Sequence, residues 1–500
     1  MTNAEISDVF SLLAKLMDIH NENNFKAKSY ASAAFTIDKL PEQLSTADRH
    51  EIQFTRGIGE STAKKIIEIL ETGQLSQLNE LIRKTPEGIL EMLKIKGIGP
   101  KKIAVIWKEL GIESPGELLY ACNENRLVHY KGFGEKSQLS IREALEFYFS
   151  NQQRFLYAQL EPIEQLITAF LKTLFGEEQV AIAGDYACQA DIADQLEYVI
   201  AADADEIRHA LGQVEKMILK QEEEGKLVFL YHQAIPVHIY IAAEDNFGTV
   251  LFRQSGAQEF LQSFQDTYAI DLSQESFRTE EEIFEVAGIA PLPHFARYKK
   301  ENIAATCDQI ITLQDIKGVI HNHSTWSDGK NSIEEMALAC IQKGYEYLVM
   351  SDHSVSSFYA NGLNIERVLK QQEEIDTLNQ KLAPFKIFKS IECDILNDGR
   401  LDYDDHILAT FDLVITSIHQ NLKMTEEKSM ERLLAAVSNP FTTILGHPTG
   451  RLLLSRKEYP VNHDVLIEAC KKHQVAIEIN ANPRRLDVDW QWIQKAMQQN

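Results

Sequence analysis

Five hundred residues exceed what one ordinary hydrophobic core organises, so two to four domains are expected. Hydrophobic residues make up 44% of the chain and the formal net charge is −24, which suits globular protein and excludes one that coats nucleic acid nonspecifically. The charge is uneven: residues 1–150 hold 19 Lys and Arg against 21 Asp and Glu, whereas the other 350 hold 31 against 53, so the N-terminal third is best able to approach a polyanion. Six scattered cysteines with no Cys-x-x-Cys read as free thiols of a reducing compartment. The first residues carry no basic-then-apolar signal pattern, and no apolar run reaches membrane length. A cytoplasmic location with no membrane partner is the expectation.

In chain order, residues 1–150 read as helical. Apolar residues recur at helical spacing through Val9–Met17 and Lys65–Leu70. Three glycine turns form a loose internal repeat: Gly57-Ile58-Gly59, Gly97-Ile98-Gly99 and Gly132-Phe133-Gly134. Residues 151–300 turn mixed, with strands expected at Val180–Ala183, Tyr198–Ala201, Lys226–Leu230 and Val237–Ile241. Pro291, Pro293 and the basic stretch after them suggest a linker near 290–310. From Ile311 a strand, loop, helix pattern repeats. Its strand candidates are Gly318–Ile320, Tyr347–Met350, Lys386–Phe388, Leu413–Thr416, Thr443–Leu445 and Val475–Ile479, spaced as in the βα units of a barrel-like sheet.

The histidines fall where such a sheet builds its sites. His321, His323 and Asp328 follow the first of these strands, Asp352-His353 the second, Glu392 the third, His419 the fourth and His447 the fifth. In a parallel barrel all of these positions lie at one mouth. Alternate residues of an extended His-x-His point to one side, so two imidazoles converge on one ion. Imidazole and carboxylate together suit Zn²⁺, Mn²⁺ or Fe²⁺, and more than four ligands implies two or more ions. Such a cluster activates water and neutralises charge on a phosphate. A single histidine of this kind is more often structural; five, each beyond a strand and mixed with acids, are not.

His321-Asn322-His323-Ser324-Thr325-Trp326-Ser327-Asp328-Gly329 resembles the opening motif of PHP domains. Ser351-Asp352-His353-Ser354, Ile391-Glu392-Cys393-Asp394-Ile395-Leu396, Ser417-Ile418-His419 and Gly446-His447-Pro448-Thr449-Gly450-Arg451 match later motifs in order, as does Glu478-Ile479-Asn480-Ala481-Asn482-Pro483-Arg484-Arg485-Leu486-Asp487. The resemblance implies a distorted α/β, TIM-like barrel with two or three divalent ions. It carries the ligand role onto His321, His323, Asp328, His353, Glu392, His419 and His447, and leaves Asn480 and Arg485 to shape the site. The family closes its site with an Asp-x-His after a further strand. This chain reaches Asn500 before that motif, so a truncated barrel lacking the last two ligands is expected.

In a helix-hairpin-helix, Gly-x-Gly opens a helix N-terminus toward a phosphate. Gly57, Gly59, Gly97, Gly99, Gly132 and Gly134 are therefore candidate DNA contacts, with Lys64, Lys65, Lys101 and Lys102 adding charge and Arg56, Lys96 and Lys131 lying just before the turns. With a PHP domain behind it, this region resembles bacterial family X DNA polymerases, through Asn24-Phe25-Lys26-Ala27-Lys28-Ser29-Tyr30-Ala31-Ser32-Ala33-Ala34. Lys65 falls where some members carry a Schiff-base lysine, but the companion position is Ser61, so a phosphate contact is the expected role. The resemblance also implies a nucleotidyltransferase-like palm. There Asp185 stands at the triphosphate turn, and Gln195, Glu197 and His238 replace the three catalytic aspartates. Asp185, Asp191 and Asp194 do not restore the pattern.

The expected protein is multidomain. It has an all-α helix-hairpin-helix region (1–80, then a fingers-like 81–150), a degenerate α+β palm and thumb (151–300) and a PHP phosphoesterase (311–500). Its partner is DNA, with gaps or 3′ ends, and its activity is 3′-to-5′ exonuclease or 3′-end processing. The rivals are a working polymerase with an unusual palm and a noncatalytic DNA-binding scaffold.

Overall fold

A computed structural model describes residues 1–55, 57–130, 132–232, 234–297 and 311–499; Arg56, Lys131, Cys307 and most of the expected linker lie outside the described residues. The chain divides into two compact units, Met1–Gln152 and Gln153–Asn500. No described helix is long and apolar enough to cross a membrane. The five described cysteines are free thiols.

The first unit is helical throughout. Thr2 opens the helix Asn3–Ile19 with a capping box to Glu5, and Ile6, Phe10, Leu13 and Met17 recur along its buried face. Asn23 caps the next helix, Asn24–Asp38, accepting from the N–H groups of Phe25 and Lys26. One hydrophobic core continues from these helices to Ile141 and Leu145.

The glycine repeat is a repeat of structure. Gly57, Gly97 and Gly132 have φ of +86°, +99° and +96°, a region that a side chain makes costly. The residue between the glycines, Ile58, Ile98 or Phe133, plugs the core at 4% exposure in each case. The second glycine then caps a helix, Glu60–Thr72, Pro100–Lys108 or Glu135–Ser150, without a side-chain hydrogen bond at the cap.

The second unit holds two larger sheets. Strands β1 (Phe155–Leu156) and β3 (Ile192–Ala193) form a small antiparallel pair. Strands β2 (Val180–Ala183), β4 (Leu196–Ile200), β5 (Met217–Glu223), β6 (Lys226–Tyr231) and β7 (Ile235–Ile241) form a mixed sheet in the order β2-β4-β7-β6-β5. Only β4 and β7 run parallel. Strand β5 is not foreshadowed by the sequence pattern, because this edge strand buries Met217 alone and shows no apolar alternation. Phe252, Phe260, Phe264 and Phe284 build a separate aromatic core beyond this sheet. Arg297, after Pro291 and Pro293, is 3% exposed and lies over the rings of Phe252 and Phe284, so the described part of the expected linker is packed.

The other sheet is wholly parallel and sequential: β8 (Gly318–Asn322), β9 (Tyr347–Met350), β10 (Lys386–Asp394), β11 (Leu413–Ser417), β12 (Thr442–Leu445) and β13 (Ala476–Ile477). It forms an open half-barrel. Helices such as Ile333–Gln342, Ile365–Leu382, Glu426–Val437 and His463–His473 make the crossovers. Several strands differ in extent from expectation, and β8 runs on to Asn322, so His321 lies inside it and not beyond it. β13 is only two residues long, and β10 runs on to Asp394, so Glu392 lies inside the strand and not beyond it. Ser390, Glu392 and Asp394 broke the apolar run, although all three are buried.

Candidate metal centre

Glu392 is the hub of the half-barrel's mouth. It is 1% exposed, and five imidazoles surround its carboxylate. Its Oε1 lies 2.9 Å from His321 Nε2, 3.0 Å from His419 Nε2 and 2.9 Å from His447 Nε2. Its Oε2 lies 3.0 Å from His353 Nδ1 and 3.6 Å from His323 Nε2. Asp328 stands further out, 4.0 Å from His323 Nδ1 and 3.8 Å from His353 Nε2. The donors fall into three overlapping groupings able to hold a cation: His321, His323 and Glu392; His323, Asp328 and His353; His353, Glu392 and His419. With His447 on Glu392, all seven candidate ligands converge.

The backbone that delivers them is irregular. The pairing of β8 with β9 slips between Val319 and Asn322, and His321 within that slip has φ +58°. The convergence of His321 and His323 thus comes from a bulge and not from the simple alternation expected of an extended His-x-His. His447 also has positive φ, +25°. Strained backbone of this kind persists where the surroundings over-determine it, as at ligand-holding sites.

Three acids without an assigned role in the sequence support the ring. Asp394 accepts from His419 Nδ1, and Glu478 accepts from His321 Nδ1 and, at 2.6 Å, from the His447 backbone N–H. Each fixes a tautomer and turns Nε2 toward the hub. Asp352, fully buried, accepts from Ser324 N (2.8 Å), Ser324 Oγ (2.6 Å), Ser327 N (3.2 Å) and Gln371 Nε2 (2.6 Å), which fastens the loop between His323 and Asp328. The spacing Glu392-x-Asp394 was the available signal: two acids on one face of one strand.

Burial pushes the His321 and His419 imidazoliums down, but carboxylates outweigh it: Glu392 and Glu478 lift His321 to about 10, and Glu392 and Asp394 lift His419 to about 10. Burial holds His323 and His447 at about 4. Nδ1 of His323 and Nδ1 of His447 are buried and meet no hydrogen-bond partner among the described residues. Donors left open in a ring of carboxylate and neutral imidazole fit divalent ions.

The two shaping residues lie on the segment after β13. Asn480 donates to Glu478 Oε2 at 3.4 Å, and its backbone N–H meets Asp487 O at 2.6 Å. Arg485 has Nη1 buried and without a hydrogen-bond partner among the described residues, and its charge disfavours the His447 imidazolium. Arg451 ties this segment down, donating to Arg485 O at 3.0 Å, Asp489 Oδ2 at 2.7 Å and Asp191 Oδ2 at 2.9 Å.

The palm positions fare differently. Glu197 and His238 are register partners on β4 and β7, and Gln195 immediately precedes β4. The Glu197 carboxylate accepts from Tyr240 Oη at 2.9 Å and lies against Gly184, where any Cβ would collide with it. Asp185, beside that turn, is raised by burial and by Asp194. Asp194 pairs with Arg154 at 3.2 Å and Asp191 with Arg451. Among the described residues these acids form no grouping able to hold a cation.

In the first unit, Lys64 is exposed and pairs with Glu60 at 2.7 Å, while Lys65 lies over the Tyr30 ring, 5.7 Å from its centre. Lys101 is exposed, and Lys102 donates to Ser137 Oγ at 2.9 Å, linking the second and third glycine turns.

Family comparisons agree with this layout. Residues 1–75 match a helix-hairpin-helix domain, 89–146 a SAM-like helix-hairpin-helix tandem and 320–482 a PHP domain. The chain is 33% identical over 519 residues to a Bacillus subtilis (strain 168) protein named DNA polymerase/3'-5' exonuclease PolX, covering 100% of this chain and 91% of the relative. A probable phosphatase of Caldanaerobacter subterraneus subsp. tengcongensis is 27% identical over 171 residues, 32% of this chain and 60% of the relative. Another, of Escherichia coli O81, is 33% identical over 100 residues, 19% of this chain and 37% of the relative. Glycine hairpins, mixed sheet and histidine-ringed half-barrel thus occur in one chain with a full-length relative, and the chain belongs to the bacterial family X DNA polymerases that carry a PHP domain.

Proposed function

We propose that this protein binds DNA through its helix-hairpin-helix turns and hydrolyses phosphoester bonds at 3′ ends, as a 3′-to-5′ exonuclease or 3′-end processing enzyme of cytoplasmic DNA repair. The observation that carries the reading is the ring of five imidazoles on Glu392, with Asp328 at its rim. The full-length relative is named for an exonuclease activity and the shorter relatives for a phosphatase. The four modules of the sequence reading, 1–80, 81–150, 151–300 and 311–500, are part of this proposal.

His321, His323, Asp328, His353, Glu392, His419 and His447 would hold two or three ions of Mn²⁺, Zn²⁺ or Fe²⁺. Bound there, divalent ions supply an activated water and offset charge on the phosphate. The chain's own part is orientation. Asp394 and Glu478 keep the Nε2 atoms of His419 and His321 aimed inward. Asp352 holds the Asp328 loop at the rim. Arg485, with its buried Nη1 lacking a hydrogen bond to any described residue, would offer that donor to a phosphate oxygen.

The palm is read as inactive. Glu197 fills the space over Gly184, Asp185 would repel a triphosphate, and the neighbouring acids are engaged elsewhere. DNA contact falls to Gly57, Gly59, Gly97, Gly99, Gly132 and Gly134 with Lys64, Lys65, Lys101 and Lys102, on gapped or 3′-ended substrates.

The test is elemental analysis of the purified chain with a Mn²⁺-dependent assay on 5′-labelled oligonucleotides. Bound transition metal and stepwise 3′ shortening are expected. A protein that takes up no ion and leaves the oligonucleotide intact is a scaffold, and the reading fails.

A further inference from the structure

The turn after His353 is built with more fixings than a connection needs. Ser354, Ser357, Ala360 and Leu363 are each at most 3% exposed. Ser354 Oγ and the Ser356 N–H both donate to Asp402 Oδ2 at 2.8 Å. The N–H groups of Ala360 and Gly362 both reach Ser357 O at 3.0 Å. A Cβ on Gly362 would collide with Ser354 O, so the chain closes tightly on itself here.

This turn also spans the site's rim. On one flank Ser357 Oγ donates to both oxygens of Asp394, 3.1 Å each, and Asp394 holds His419. On the same flank Gln420 Nε2 donates to Ser356 O at 2.9 Å. On the other flank Asn361 Nδ2 donates to Trp326 O at 3.2 Å and Ser327 O at 3.3 Å, next to Asp328. The turn therefore bridges the two loops that carry Asp328 and His419.

At its apex Phe358 is 80% exposed. An exposed apolar side chain is by itself ordinary on a protein surface. What sets Phe358 apart is its seat: a heavily hydrogen-bonded turn fastened on both sides to the loops of candidate ligands, which also carries Val355 at 43% exposure. An aromatic face held at the edge of a phosphate site suits a nucleobase, because every base offers a π-face. A small sugar phosphate offers it no such surface.

We propose that Phe358 is a base platform. The base of the terminal nucleotide stacks on its ring while the adjoining phosphoester lies at the Glu392 cluster. This would make the site select nucleic-acid ends over small phosphomonoesters. The inference rests on the phosphoesterase reading above, since it needs a phosphate at that cluster.

Two measurements on the full chain test it. In the first, a single-stranded oligonucleotide carries 2-aminopurine at its 3′ end, and stacking is read as fluorescence quenching, independent of hydrolysis. Wild type should quench, Phe358→Ala should lose most of the quenching, and Phe358→Trp should keep it. In the second, Mn²⁺-loaded protein degrades an oligonucleotide ending in a normal 3′ nucleotide or in an abasic one. Phe358→Ala should raise KM on the normal end on the order of tenfold or more and match wild type on the abasic end. Equal quenching by wild type and Phe358→Ala overturns the platform. So does a KM change of the same size on both ends, which would mean a distorted loop. Quenching that needs Phe358 in a protein that hydrolyses neither end would sink the phosphoesterase reading and leave the platform standing.

Discussion

The second unit has two gatherings of acids beside a sheet, and they end differently. Around Glu392 five imidazoles and two supporting carboxylates converge, each with an assigned hydrogen bond or a donor aimed at the hub. Around Gly184 the acids disperse: Glu197 to Tyr240, Asp194 to Arg154, Asp191 to Arg451. Both regions hold enough carboxylates for metal chemistry. What separates them is convergence and the residues behind the candidate ligands, and not the inventory of acids.

The sharpest way to break this comparison is to remove the hub. Glu392→Gln keeps the volume and takes away the charge shared by five imidazoles; 3′ hydrolysis should fall by at least about a hundredfold, with bound metal lost and circular dichroism close to wild type. His323→Ala should behave alike. Activity retained by either variant would put the histidine cluster on a par with the palm.

Metal uptake should depend on acid in a definite direction. His321 and His419 are lifted to about 10, so at neutral pH both imidazoles are protonated in the ion-free chain. Ions must displace those protons, so affinity should drop as pH falls, by ~tenfold per unit for each proton released. Titration of Mn²⁺ in two buffers of different ionisation enthalpy measures the protons released, and a count of zero contradicts the assignment.

Smaller effects are expected behind the ring. Asp394→Asn or Glu478→Gln leaves every ligand in place but loosens one imidazole; metal affinity or activity should fall about 10- to 100-fold. If both variants match wild type, the supporting acids are only packing.

In the first unit, Gly97→Val puts a side chain at φ +99° and into a turn proposed to face DNA. Binding of gapped DNA should weaken by roughly tenfold, and wild-type affinity should fall steeply with salt at any sequence. A filter-binding series across salt concentrations reads both. The least change is expected at Glu197→Ala, which should leave 3′ hydrolysis within about twofold and primer extension at background. Extension by wild type that Glu197→Ala abolishes would revive the palm.

The histidine positions are legible in the sequence because a metal site demands rare residue types at fixed places in or just beyond strand ends. The glycine turns were legible because only glycine tolerates the φ that Gly57, Gly97 and Gly132 adopt. Asp394 and Glu478 went unassigned, since a carboxylate behind a histidine looks like any other acid in one dimension. The bulge at His321 was equally hidden: backbone register depends on the neighbouring strand, which the local pattern does not record. β10 was read too short because its buried polar end, Ser390 to Asp394, resembles a loop by composition.

Arg451 gives the polymerase half a use beyond catalysis. Its guanidinium, 12% exposed, is shared between Asp489 on its own side and Asp191 from the polymerase half. Excising the chain before Ile311 would strip away one of these two carboxylates and leave a largely dehydrated cation on Asp489 alone, at the very segment that carries Arg485. Whether or not it copies DNA, the polymerase half would then be indispensable as a clamp. Loss of catalysis there would not by itself free the region to be lost, because the neighbouring histidine-ringed site leans on it.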